Sequence, residues 1–221
     1  MDWLRTVLVL AIAGTAGVAG VSRQGATPDP SVDAVVEAAV AYVAAYAQIV
    51  REATAGLDAA LIFEPGRSLV GNAGILLTRV IYVKEGSTRR FVIIDAAMND
   101  LIRPMLYEAW HGILPVKAAA PDAVLGPVDV VGPICESTDI FARRRDLPPL
   151  AAEDLIVLTS VGAYGAVMAS DYNSRPVAAE VLVDGARYAV VKPRIEPAAR
   201  FADESLPPWL APPARERGAA G

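Results

Sequence analysis

Between residues 31 and 54 the apolar positions Val32, Val35, Val36, Ala39, Val40, Val43, Ala47 and Val50 recur at helical spacing. This spacing predicts one long amphipathic helix packed on a sheet. Thr27-Pro28-Asp29-Pro30 breaks the chain ahead of it, with Asp29 as cap and Pro30 in the first turn, and Gly56 ends it. The apolar run Ala60-Leu61-Ile62-Phe63 reads as a short buried strand. Helix and strand in this order predict the final αβ unit of an α/β domain.

The period then changes. Residues 75–84 and 90–95 are rich in β-branched side chains and are joined by the polar turn Glu85-Gly86-Ser87, which predicts paired strands. Residues 101–110 read as a short helical piece and 111–117 as an extended one. Further strands are predicted at 128–134, 154–160, 179–183 and 188–192, with Asp184-Gly185 marking a hairpin between the last two. An α/β piece over residues 1–66 thus precedes a β domain over 67–205. The tail 206–221, rich in Pro, Ala and Gly, is expected to be disordered.

Composition narrows the function classes. The 221 residues suffice for a sizeable core, and the net charge of -5 with no basic tract argues against a nucleic-acid binder. Arg143-Arg144-Arg145, flanked by Asp139 and Asp146, reads as a solvated turn. One cysteine, Cys135, leaves no internal disulfide, and one histidine, His111, argues against a protein-only zinc site, so no metal is expected. Residues 1–26 fit two readings. A basic residue, an apolar core and small residues suit a secretory signal, too short and glycine-rich for a membrane span. A strand followed by a glycine-rich turn that cradles a phosphate suits them equally.

Polar clusters interrupt this apolar frame. Glu64-Pro65-Gly66-Arg67-Ser68 follows the strand predicted at 60–63, where a carboxylate and a guanidinium can hold a polar ligand between them. Pro65 fixes one backbone angle and Gly66 permits close ligand approach. In Asn99-Asp100-Leu101-Ile102-Arg103-Pro104 and the residues after it, Arg103 and Tyr107 lie four apart and share a helical face. Gly132-Pro133-Ile134-Cys135-Glu136-Ser137-Thr138-Asp139 sets a thiol beside a carboxylate. Gly162-Ala163-Tyr164-Gly165 holds a phenol in a glycine-flanked turn, and Tyr172-Asn173-Ser174-Arg175-Pro176 closes the set. Turns use such residues routinely, so each cluster alone reads as structural. Together they suit an amino-acid-like substrate with a carboxylate and an ammonium group.

In order and spacing these five motifs resemble the diaminopimelate decarboxylases over roughly residues 30–197. The resemblance implies an α+β chain, a remnant of a (β/α)8 barrel followed by a C-terminal β-sandwich or barrel domain. It also implies pyridoxal 5'-phosphate as cofactor, meso-diaminopimelate as substrate, L-lysine as product, a homodimer with shared active sites, and a cytoplasmic setting. By the same resemblance Glu64 sits at the pyridine nitrogen, and Gly66 and Arg67 lie by the phosphate, with Arg67 also reaching substrate. Arg103, Tyr107 and Glu136 hold the distal end of the substrate, and Tyr164 contacts cofactor and substrate. Cys135, given by the partner subunit, protonates the carbanion equivalent left when carbon dioxide departs. Related ornithine and arginine decarboxylases typically carry Cys-Asp where this chain has Cys135-Glu136, which favours diaminopimelate.

The chain also departs from that family. The family's Schiff-base lysine lies far upstream on the first barrel strand, whereas Lys84, Lys117 and Lys192 are the only lysines here and stand outside any such motif. The isolated chain is therefore expected to be inactive. The alternative is a non-catalytic β domain that complements a partner decarboxylase chain. Residues 10–18 stand where the family has a strand and a triple-glycine phosphate loop, keeping Gly14 and Gly17. A degenerate loop, or a shifted frame or late start, is preferred there to a secretory signal at 1–20. One or two βα units cannot close a barrel, so apolar surface is expected to lack partners.

Overall fold

A computed structural model describes residues 7–11, 32–58, 60–64 and 66–210. Nine strands are present among them: β1 (Val7–Ala11), β2 (Gly74–Glu85), β3 (Arg90–Ile94), β4 (Ile113–Pro115), β5 (Gly126–Val131), β6 (Ile140–Leu147), β7 (Leu155–Leu158), β8 (Ala179–Asp184) and β9 (Arg187–Lys192). They form a curled mixed sheet, with α1 (Val32–Ala53), α2 (Gly66–Val70) and α3 (Arg103–Tyr107) as the helices.

The long strand β2 belongs to both halves of the sheet. Its second half pairs antiparallel with β3, which runs parallel to β5, and β5 pairs antiparallel with β6. Its first half pairs with β7, which carries β4 on its other edge. The same half pairs with β1, which lies parallel to β8, and β8 forms a hairpin with β9. Gly185 turns that hairpin at φ +57°, a left-handed conformation that costs glycine little. Residues 7–11, sequentially ahead of the predicted division at 66, thus lie within this sheet.

Alternation along β2 aims Leu76, Thr78 and Val80 inward. They meet Val92 and Ile94 of β3, Val128 and Val130 of β5, Phe141 of β6, and Ile156 and Leu158 of β7 in one core. Thr78 is tolerated there because its hydroxyl donates to Asp95 Oδ1 at 2.5 Å and accepts the Ala96 amide at 3.0 Å.

Three expectations need correction. Residues 60–63 form no strand, and Ile62 is 87% exposed, because no neighbouring strand supplies the ladder partners an extended segment needs. The helix α1 forms where expected, yet Val43, Tyr46 and Ile49 on its second half are exposed rather than packed on a sheet. Arg143-Arg144-Arg145 is not a solvated turn but part of β6, with an irregular register opposite β5 and Arg144 at φ +48°. Arg145 earns its half-buried place by stacking on Trp110 at 4.5 Å and donating to the His111 carbonyl at 2.8 Å. The glycine-rich stretch 12–20 and the tail 211–221 lie outside the described residues.

Candidate active site

The loop that launches α3 is fixed by buried polar groups. Asp100 Oδ2 accepts the Ala97 amide at 3.0 Å, and Asn99 Nδ2 donates to the Ser170 carbonyl at 3.3 Å. Arg175 reaches across from the 172–176 motif, donating through Nε to Asn99 Oδ1 at 3.1 Å and through Nη2 to the Asp95 carbonyl at 2.7 Å. Two of the sequence motifs are therefore tied to each other, and Arg175 braces the loop rather than facing a ligand. Burial lifts the Asp100 carboxyl to about 6, against the Ala97 bond and the nearby Arg175 and Arg194 charges. Leu101, 1% exposed, anchors the loop in the core, and α3 follows with Pro104 in its first turn. Glu108, left-handed at φ 53°, closes the helix by donating to the Arg103 carbonyl.

The second support is Gly162. A Cβ at this position would overlap the Val70 carbonyl oxygen and stand 2.8 Å from the Gly74 nitrogen. Its amide donates to the Gly71 carbonyl at 3.0 Å, so the Gly162 backbone lies directly against the end of α2. Two residues on, Tyr164 adopts φ 60°, an uncommon conformation for a bulky side chain, which turns its ring toward α3. The Arg103 guanidinium carbon stands 5.5 Å from the ring centroid.

These supports bring together Arg67 from α2, Arg103 and Tyr107 from α3, and Tyr164, which with Ala109 and Met168 line an open cleft of about 460 Å³. Two guanidinium groups and two phenols converge there, a donor set suited to a carboxylate or phosphate. Four of the expected site residues thus share one place. Glu64, Gly66, Cys135 and Glu136 do not line it. Glu64 is exposed ahead of α2 and Gly66 has open space around it, while Pro65 lies outside the described residues.

Cys135 and Glu136 sit on a separate loop after β5. Asp139, 2% exposed, clamps that loop: Oδ1 accepts the Met98 amide at 2.8 Å and Oδ2 the Ile134 amide at 2.9 Å. Burial raises the Asp139 carboxyl above its ordinary value, opposed by those two bonds. Gly132 is required beside it, since any Cβ would run into the Asp139 carboxylate. The clamp leaves the Cys135 thiol exposed, with Glu136 half-buried and accepting from Thr138 at 3.2 Å. The thiol is exposed, and neither it nor the carboxylate lines the arginine cleft of its own chain. Nothing in the sequence marks Asp139, since a single acid in a polar stretch gives no sign of burial, and Gly162 looks like any turn glycine.

The mixed sheet thus frames a cleft lined by two arginines and two tyrosines. The family described as "Pyridoxal-dependent decarboxylase, C-terminal sheet domain" matches residues 12–162, and the chain belongs to it. The chain is 51% identical over 168 residues to the diaminopimelate decarboxylase of Zymomonas mobilis, covering 76% of this chain and 39% of that protein. It is 52% identical over 164 residues to the diaminopimelate decarboxylase of Pseudomonas aeruginosa, covering 74% and 39%. The chain therefore spans about 39% of the length of these relatives. Among solved structures it is similar to the Helicobacter pylori diaminopimelate decarboxylase complexed with L-lysine, at 43% identity and TM-score 0.62, over 71% of this chain and 38% of that one. The M. jannaschii diaminopimelate decarboxylase in co-complex with L-lysine gives 35% identity and TM-score 0.64 over 81% of this chain and 38% of that one.

Proposed function

We propose that this chain is the sheet-domain part of a decarboxylase that converts meso-diaminopimelate to L-lysine and carbon dioxide. The observation that carries the reading is the cleft where Arg67, Arg103, Tyr107 and Tyr164 converge from three separate motifs. A guanidinium backed by an aromatic ring holds one carboxylate of a dicarboxylic amino acid, and the phenols add hydrogen bonds. In this reading α1 and the segment after it belong to the last unit of a barrel, and residues 67–205 to the β domain.

Pyridoxal 5'-phosphate, implied by the family, fits these residues only in part. Arg67 and Tyr164 suit its anionic end, whereas Gly66 and Glu64, which the resemblance puts at the phosphate and the ring nitrogen, do not line the cleft. Among the described residues no amine lines the cleft for its aldehyde: Lys84 and Lys117 are exposed and absent from its lining, and Lys192 pairs with Glu180 at 3.0 Å. The cofactor's chemistry thus needs a lysine other than these three, and the chain alone is expected not to decarboxylate.

The Cys135–Glu136 loop favours a shared site. Since neither residue lines its own chain's cleft, a ligand touching both sets bridges two chains, in a homodimer or with a complementing decarboxylase chain. Cys135 would then deliver a proton and Glu136 select the ammonium group. A cytoplasmic setting goes with this reading; no helix of the described residues is long and apolar enough to cross a membrane.

The test is a calorimetric titration of the purified chain with meso-diaminopimelate, with pyridoxal phosphate absorbance scanned before and after borohydride. Saturable binding lost in Arg103→Ala, with no cofactor band fixed by reduction, is expected. Binding unaffected by Arg103→Ala would remove the cleft from the reading, and a fixed band would show that one of the three lysines is competent.

A further inference from the structure

His111 follows two residues after Ala109, which lines the cleft, and belongs to none of the motifs that form it. It is 4% exposed, and one hydrogen bond holds its ring, while two more tie down the backbone around it. Nδ1 is 2.9 Å from the Thr159 carbonyl, an acceptor only, so Nδ1 carries the proton. Thr159 is itself stitched to the next residue through its amide, which donates to the Gly112 carbonyl at 2.9 Å, and Arg145 holds the His111 carbonyl. Burial, together with the positive charges of Arg103 and Arg145, pushes the imidazole below its ordinary value and opposes the effect of the Thr159 bond. The ring is neutral, and Nε2 is a bare lone pair.

That Nε2 is buried with no partner among the described residues, and so is Arg103 Nε. One is an obligate acceptor and the other an obligate donor, and burying either one unpaired is unfavourable. The backbone sets them near each other: after α3 the chain folds back, and Ala109, two residues before His111, donates to the Arg103 carbonyl at 3.4 Å. Resting on the cleft reading above, we propose that His111 is a positioning residue. One shared water, accepting the Arg103 Nε–H and donating to Nε2, links the two and so fixes the guanidinium plane against Tyr164. The two terminal nitrogens of Arg103 are then left to grip a carboxylate in the cleft. A guanidinium held at Nε loses less freedom on binding, which gives His111 an effect on affinity without any contact to ligand.

Two substitutions separate this role from mere packing. His111→Asn keeps a donor at the Nδ1 position for Thr159 but removes the acceptor at Nε2. His111→Gln keeps an acceptor near the Nε2 position and gives up the Thr159 bond. In nitrogen-15 spectra of the ligand-free chain, the proton is expected on Nδ1, with a slowly exchanging Arg103 Nε–H that is lost in His111→Asn and kept in His111→Gln. Meso-diaminopimelate should bind about ten-fold more weakly to His111→Asn than to wild type, while His111→Gln binds nearly as wild type despite lower stability. A proton on Nε2, or an Arg103 Nε–H indifferent to His111→Asn, overturns the proposal. Failure of the wild-type chain to bind diaminopimelate would sink the substrate reading and leave the ligand-free spectra to decide the pair.

Discussion

Replacing Gly162 by alanine tests how the cleft is held together. The new methyl group would overlap the Val70 carbonyl oxygen and crowd the Gly74 nitrogen, both backbone atoms that no rotamer change can move aside. Overpacking of this kind costs about 1–3 kcal/mol, and losing the Gly162 bond to the Gly71 carbonyl adds about 1 kcal/mol. At about 2–4 °C per kcal/mol for a chain of this size, Gly162→Ala should melt roughly 10 °C below wild type. Since α2 must shift away from the Tyr164 turn, Arg67 should also leave the cleft and diaminopimelate binding should weaken. Gly66→Ala is the control: a Cβ there meets nothing within 4 Å, so the melting point should hold within about 2 °C. Circular dichroism melts of the three proteins settle the matter. A Gly162→Ala chain as stable as wild type, or a Gly66→Ala chain equally damaged, would refute the close approach of α2 to the Tyr164 loop.

Other consequences are as direct. The Asp100 carboxyl, at about 6 against an ordinary 3.8, binds its proton more tightly folded than unfolded. Its contribution is fully present below about pH 4 and is lost as pH rises through about 6, roughly 3 kcal/mol in all. Urea midpoints between pH 4 and 7 should therefore fall with rising pH from this group, and Asp100→Asn should remove that part of the slope. Asp139→Asn leaves one of the Ile134 and Met98 amides facing a donor, so hydrogen exchange at both should speed up by at least about ten-fold. Ile156→Ala, at a site 0% exposed, should cost about 2–5 kcal/mol with an unchanged urea slope, whereas Ile62→Ala at 87% exposure should cost almost nothing.

Much of the sheet was legible because local chemistry and tertiary structure agree. The turn at Glu85-Gly86-Ser87 joins two β-branched runs, and the structure closes it with the Gly86 amide on the Arg89 carbonyl. The strand β6 was not legible, since Arg143, Arg144 and Arg145 break its alternation and the bonds that pay for Arg145 come from Trp110 and His111, far away in sequence. The run at 60–63 misled for the opposite reason: an apolar sequence signals a strand, but only a neighbour can make one. Within the site, charged and aromatic residues near turns pointed to Arg67, Arg103, Tyr107 and Tyr164. His111, Asp139 and Gly162 act through burial and backbone proximity, which no residue type announces.

The position of β1 also sets an order in time. Val7 pairs with Leu77 but also with Ala179, about 170 residues away, and that second pairing is parallel. Hairpins such as β8–β9 close over a few residues and can form in microseconds, whereas so long a loop must be closed before its contacts repay the entropy. During synthesis β1 emerges well before β8, so its pairing with β2 can form early while its pairing with β8 must wait. Until β1 and β8 meet, the edges they later share stand open to any other extended chain.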